Sequence, residues 1–167
     1  EVAPMVAVGD RNLLMRTTGS THNEKGEFNP SPENINRVTH YLLDKIEKHV
    51  DDITITRKFQ LEDAEVILIS FGCSVRSSLN AVQLLRKQGI KAGLLQLVTV
   101  WPMPEKEIRE ALKQAKTVVV AELNMGQLAG EVRKFNDYGC QVIQANRTDG
   151  VLITPQQIVD AYKGGTK

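Results

Sequence analysis

The polar side chains best placed for chemistry stand in two stretches, Glu122-Leu123-Asn124-Met125-Gly126-Gln127 and Asn146-Arg147-Thr148-Asp149-Gly150, each directly after an apolar run. Glu122, Asn124 and Gln127 could meet a ligand or a partner with one carboxylate and two amides. Asn124 could equally cap a following helix, a role worth about 1 kcal/mol with no ligand involved. Arg147 and Asp149, with Thr148 between them, could hold a small anion or could form an ordinary polar turn. His22, His40 and His49 do not show the i, i+4 spacing of a helical metal pair, and none can be tied to a serine or cysteine as a nucleophilic pair. Cys73 and Cys140 lie far apart and outside any metal-ligand spacing. Only Gly72 follows the apolar run Val66–Ile69, so neither a dinucleotide-binding G-x-G-x-x-G nor a phosphate-binding G-x-x-x-x-G-K is present. The inventory predicts no metal site and no catalytic constellation in this chain.

Composition narrows the class. The 167 residues are 41% hydrophobic and 25% charged, with a net charge of +1. That length suits one domain, burying about 70% of its unfolded surface without cross-links. Lysine and arginine are scattered, which argues against a nucleic-acid or membrane surface. No apolar run approaches the ~18 residues of a membrane span, and no signal peptide is read at the start. Two isolated cysteines acting as small apolar residues fit a reducing cytoplasm. The chain opens on Glu1 rather than methionine, so a piece of a longer polypeptide is expected.

The candidate residues must be positioned by alternating strands and helices. Glu65-Val-Ile-Leu-Ile-Ser-Phe-Gly-Cys-Ser74 has an unbroken apolar run, the habit of a central parallel strand covered on both faces. Ser74 is expected to cap a helix from Val75 to about Lys87. Core strands are predicted at Lys91–Val100, Thr117–Ala121 and Gln141–Ala145, with helices over Glu105–Gln114, from Gln127 to about Asn136, and from Pro155 to Tyr162. Ile53–Phe59 alternates and reads as an edge or connecting strand. Ser31-Pro32 starts a helix ending near His49, with Ile35, Val38, Leu42 and Ile46 on one stripe. Residues 1–30 show no convincing element and are expected to be an extended arm or linker before a domain at 31–167; Lys163–Lys167 reads as a frayed tail. The pattern predicts an α/β fold, an open and mostly parallel sheet with helices on both faces.

Three stretches carry a family resemblance over nearly the whole chain. Thr18-Gly19-Ser20-Thr21-His22-Asn23-Glu24-Lys25-Gly26 with Pro32-Glu33-Asn34 resembles the T-G-x-x-H-x-x-x-G … P-E-x-H segment of 2-oxoacid:ferredoxin oxidoreductase α subunits. Glu122–Gln127 resembles their E-x-N-x-G-Q turn, and Leu97–Pro104 their strand ending in W-P-F-P. Asn34-Ile35-Asn36 departs from the pattern, which has a histidine near that helix start. Met103 replaces an aromatic, a swap of similar volume that should be tolerated. The resemblance is nearest to the 2-oxoglutarate type and covers the carboxyl-terminal, transketolase-C-like domain. It implies an enzyme that decarboxylates a 2-oxoacid to an acyl-CoA while reducing ferredoxin, or the reverse. The complete enzyme would use thiamine diphosphate, magnesium, an iron–sulfur cluster and coenzyme A, none of them held by this chain. Its partners would be the pyrimidine-binding thiamine domain of the α subunit, the β subunit and ferredoxin. The glutamate that activates thiamine belongs to that other domain, so the resemblance does not give Glu122 the role.

Three readings stand at this point. The first is an assembly domain of such an oxidoreductase, with Glu122, Asn124 and Gln127 facing a partner. The second is a free-standing doubly wound module that binds a small anion at Glu122–Gln127 or Arg147–Gly150. The third is the carboxyl-terminal domain of a transketolase or a pyruvate dehydrogenase E1β chain, which the Thr18–Gly26 stretch does not suit.

Overall fold

The computed structural model describes residues 7–11 and 19–165. Val2, Met5, Val6, Thr17, Thr18 and the last two residues of the expected tail lie outside them. The chain divides into two compact units, Glu1–His49 and Val50–Lys167. The expectation put the first helix with the sheet; this division puts it with the residues before it.

Local hydrogen bonding explains that association. The stretch expected to be an arm folds into a tight turn. His22 and Phe28 form an isolated antiparallel bridge, and the Asn23 carbonyl oxygen of the side chain accepts from the amides of Lys25 and Glu27, each at 3.0 Å. An asparagine side chain is here substituting for a strand partner. Helix α1 (Pro32–Glu47) follows, with the Ser31 hydroxyl accepting from the Asn34 amide as its cap. Asn34 is buried, and its side-chain nitrogen donates to the carbonyls of Asn29 at 2.9 Å and His22 at 3.3 Å. One side chain thus locks the turn onto the start of the helix, near the place where the family pattern has a histidine. On α1 itself Ile35, Tyr41, Leu42 and Leu43 are exposed.

The second unit opens with a single turn, α2 (Val50–Ile53), whose last residue, Ile53, was expected to start a strand; Thr54 closes the turn by donating from both its amide and its hydroxyl to the Val50 carbonyl. Of the expected strand Ile53–Phe59, the structure forms Thr56–Phe59 as β1. Then follow β2 (Val66–Phe71), α3 (Ser74–Lys87), β3 (Ala92–Leu97), α4 (Glu105–Gln114), β4 (Thr117–Glu122), α5 (Gln127–Lys134), β5 (Gln141–Asn146) and α6 (Pro155–Gly165). The five strands lie in the order β1-β3-β2-β4-β5, with β1 antiparallel to β3 and every other pair parallel. The mostly parallel α/β sheet is as expected, and β2 is its central strand.

Alternation along β2 assigns its side chains to two cores. Ile67 and Ile69 join Leu95, Leu97, Val118 and Val120 beneath α4 and α5. Val66 and Leu68 join Leu94, Val119 and Ala121 beneath α3 and α6. A strand buried this way needs no polar alternation, which is why the run reads as uniformly apolar. The Ser74 cap differs from expectation, whereas the Thr154-Pro155 start of the last helix is as the sequence implies. Helix α3 starts at Ser74 itself, with Cys73 as cap residue and no side-chain cap bond; the Ser74 side chain is buried instead. Helix α6 does use the Thr154 hydroxyl, which accepts from the Gln157 amide while the Gln157 side chain accepts from the Thr154 amide, a reciprocal box. That helix continues past the expected Tyr162 to Gly165. No helix among the described residues is long and apolar enough to cross a membrane.

Ile67 and Ile69 have no exposed surface, so Ile67→Ala and Ile69→Ala should each cost about 2–5 kcal/mol of unfolding free energy. Urea denaturation followed by circular dichroism measures this; a loss below ~1 kcal/mol at both positions would put β2 at an edge.

Candidate functional site

After β2 the chain turns back through α3 to β3, whereas after β4 it moves outward through α5 to β5. The connections therefore leave in opposite directions between β2 and β4, the switch point beyond which open α/β sheets bind ligands or partners. The turn after β4 is the Glu122–Gln127 stretch. The switch point is flanked on its other side by Gly72, at φ +58°, and the exposed Cys73.

The turn is built around the amino end of α5. Glu122 is fully buried, and its two carboxylate oxygens accept separately from the amides of Leu128 at 2.8 Å and Ala129 at 3.0 Å. The Asn124 side-chain oxygen accepts from the amides of Gly126 and Gln127 at 2.8 and 2.9 Å. Four successive amides are thus satisfied before the helix's own ladder begins with Gly130 donating to the Gly126 carbonyl. A negative group at this end also complements the helix dipole. Gly126 makes the path possible, at φ +102°. Strand β5 braces the turn from the side: the Asn146 side chain donates to the Asn124 carbonyl at 3.0 Å, and the Arg147 amide to the Glu122 carbonyl at 3.2 Å.

The sequence-predicted residues therefore separate by role. Asn124 caps the helix as one reading had it, but Glu122 shares that work, and its carboxylate faces inward rather than toward a partner. The signal was present: a glutamate closing an otherwise apolar strand, six residues before the first helical amide it reaches. Gln127 is exposed. Arg147 and Asp149 engage each other, with the guanidinium Nε donating to Asp149 at 3.0 Å and a second Arg147 nitrogen completing the pair. The Arg147 guanidinium and the Val151 amide together hold the Asp149 carboxyl well down, to about 2. The cation proposed for a small anion is already paired within its own turn. A separate groove of about 770 Å³ includes Met103, Pro104, Arg109, Phe135 and Tyr138 in its walls but none of the five candidates; Arg109 there pairs with Glu105 and Asp137 and lies 5.3 Å above the Phe135 ring.

What sequence reading missed is an apolar end of the unit. Around the candidate turn, Met125 is 76% exposed and Trp101, after β3, 71%. Val98 and Val100 after β3, Val151 and Leu152 after β5, and Ile53 and Ile55 before the antiparallel β1 are exposed at the same end. Apart from Tyr138, these are all the large apolar side chains that stand exposed among the described residues of this unit.

A family model described as pyruvate:ferredoxin oxidoreductase core domain II matches residues 64–158, from just before β2 into α6. The chain belongs to the pyruvate:ferredoxin oxidoreductase core domain II family. Among curated relatives of this core domain II chain, 2-oxoglutarate synthase subunit KorA of Methanothermobacter marburgensis is 35% identical over 96% of this chain and 43% of its own length. The chain thus spans less than half of that relative. A solved 2-oxoglutarate:ferredoxin oxidoreductase from Magnetococcus marinus, with 2-oxoglutarate, coenzyme A and succinyl-CoA bound, matches 98% of this chain and 29% of its own, with a TM-score of 0.76 and 28% identity. A split-gene transketolase, 19% identical over 65% of this chain and 42% of its own with a TM-score of 0.57, shares the fold. Core domain II is therefore transketolase-C-like, as the resemblance implied.

Two expectations follow from the geometry of core domain II. Glu122→Ala leaves the buried amides of Leu128 and Ala129 without partners and should cost at least about 2 kcal/mol, against about 1 kcal/mol for Asn124→Ala at the more open cap. Chemical denaturation of both variants tests the order, and an equal or reversed cost would remove Glu122 from its supporting place. The Asp149 carboxyl should titrate with a midpoint near 2 by carbon-detected NMR. Because the folded value is depressed, the contribution of the Arg147 pair is present above the ordinary carboxylate range and is lost as pH falls through about 2. Arg147→Ala should raise the midpoint toward the ordinary value of about 3.9; no movement would deny the pairing.

Proposed function

We propose that this chain is the carboxyl-terminal, transketolase-C-like part of the α subunit of a 2-oxoacid:ferredoxin oxidoreductase, of the 2-oxoglutarate type. The complete enzyme would decarboxylate 2-oxoglutarate oxidatively to succinyl-CoA and pass the electrons to ferredoxin, or run the reverse. The observation that carries this reading is similarity along the whole chain, 96% of it to a 2-oxoglutarate synthase subunit and 98% to a 2-oxoglutarate:ferredoxin oxidoreductase.

The geometry of the candidate turn supports a scaffold role in that enzyme. The Glu122 carboxylate spends both oxygens on α5, and every buried side-chain nitrogen and oxygen among the described residues has a partner within the fold. The polar groups present do not fit a thiamine diphosphate cradle, so no step of the reaction is assigned to them. Thiamine diphosphate, magnesium, the iron–sulfur cluster and the site of coenzyme A would be supplied by the pyrimidine-binding part of the α subunit and by the β subunit. Asn124, Gln127 and the Arg147–Asp149 turn would border the surface that meets these partners, with Glu122 holding that surface in shape from beneath. The enzyme would work in the reducing cytoplasm, where the free thiols of Cys73 and Cys140 persist.

The test has two arms. The full-length subunit co-produced with its partner should reduce ferredoxin with 2-oxoglutarate and coenzyme A, and much more slowly with pyruvate. Calorimetric titration of the 167-residue chain with thiamine diphosphate and magnesium should give no heat of binding. Micromolar affinity in that titration would overturn the scaffold role, and a preference for pyruvate would overturn the substrate.

A further inference from the structure

We propose that the apolar strand-end surface around Trp101, Met125 and Leu152 is the seat on which the remainder of the same polypeptide packs. The inference rests on the reading that this chain is part of a longer α subunit. Single exposed apolar side chains are ordinary, but a contiguous set confined to one end of a domain marks an interaction surface. Here the contrast between the ends is sharp. At the amino ends of β2, β3 and β4 the surface is ionic, with Glu65 pairing with Lys116 and, at 3.8 Å, with Lys91. The carboxyl ends carry the exposed large apolar side chains, beside the Arg147–Asp149 pair.

The backbone carrying these side chains is already fixed. Met125 rides on the turn held by Glu122, Asn124 and Asn146. The Val98 and Thr99 amides donate to the Ile55 carbonyl at 2.9 and 3.1 Å, and the Thr99 hydroxyl donates to the Ile53 carbonyl at 2.8 Å. The Val151 amide donates to Asp149 at 3.2 Å. A surface set in place this way loses little conformational freedom when it is covered.

One observation selects the occupant: the matched relative carries more than half its length outside the stretch shared with this chain, and a segment of the same polypeptide reaches this end at high effective concentration.

Hydroxyl-radical footprinting of the full-length α polypeptide, at a concentration where light scattering gives one copy, tests the proposal. Tyr138, exposed between α5 and β5 and outside this set, is the internal reference, and methionine and tryptophan are intrinsically the more reactive side chains. Met125 and Trp101 should nevertheless oxidise at least tenfold more slowly than Tyr138. Oxidation faster than Tyr138 would overturn the proposal, as would protection that appears only with the β subunit or only in a dimer. Met125→Asp with Leu152→Asp should bring Trp101 oxidation above that of Tyr138; Trp101 still protected in a folded double variant would also overturn it. Turnover of 2-oxoglutarate is scored separately. Its absence with Met125 protected would remove the enzymatic reading and leave the seat, whereas turnover with Met125 open would remove the seat alone.

Discussion

A carboxylate with no solvent contact must find hydrogen-bond donors inside the protein, and Glu122 finds them in the first turn of α5. Burying the group unpaired would cost several kcal/mol, and leaving the Leu128 and Ala129 amides unpaired would be nearly as damaging. Each need answers the other, and the solution fixes where α5 starts relative to the end of β4. Asn124 and Gly126 can then form the short turn between them, and β5 adds the Asn146 and Arg147 contacts. The shape of the switch-point surface depends on this one exchange between a strand-end side chain and a helix end.

The exchange sits in a sheet whose central strand is covered on both faces. Because β2 sends Ile67 and Ile69 to one core and Val66 and Leu68 to the other, the strand cannot shift its register by one residue without exchanging the side chains of the two cores. The parallel neighbours are pinned in turn, Leu68 lying beside both Leu94 and Val119. A stiff sheet of this kind can present a patterned end, ionic where the strands begin and apolar where they finish. That division suits the proposed role, in which the domain holds other parts of an enzyme in place.

The Glu1–His49 unit solves a different problem, ordering a short polar segment with little apolar material. Asn23 and Asn34 do so with side-chain amides that stand in for absent strand partners. The glycine-rich stretch that resembles the oxidoreductase family is thus, over its described residues, a folded turn, and Asn34, beside the place where the family pattern has a histidine, acts as a structural clamp. The family membership of residues 64–158 and the inward-facing Glu122 carboxylate are both consistent with the proposed scaffold role.

The alternation of strands and helices, the central place of β2 and the starts of α1, α4 and α6 were legible in the sequence, because periodicity, proline and capping residues act over a few neighbouring positions. So was the family, through motifs that are weak singly and specific as a set. The single turn of α2 was not, since Ile53 alternates as well as a strand residue does until Thr54 folds back on Val50. Nor was the folded state of residues 21–31, where asparagine side chains pair with backbone groups that no periodicity reveals. Above all, the sequence showed Glu122, Asn124, Arg147 and Asp149 as a polar inventory open to ligand, partner or cap. Only the tertiary structure decided that Glu122 and Asn124 divide the amides of one helix and that Arg147 and Asp149 satisfy each other, because hydrogen bonding is settled by distance in space. The gathering of Trp101, Met125 and Leu152 at one end was equally invisible, since strand order, not chain order, brings their three loops together.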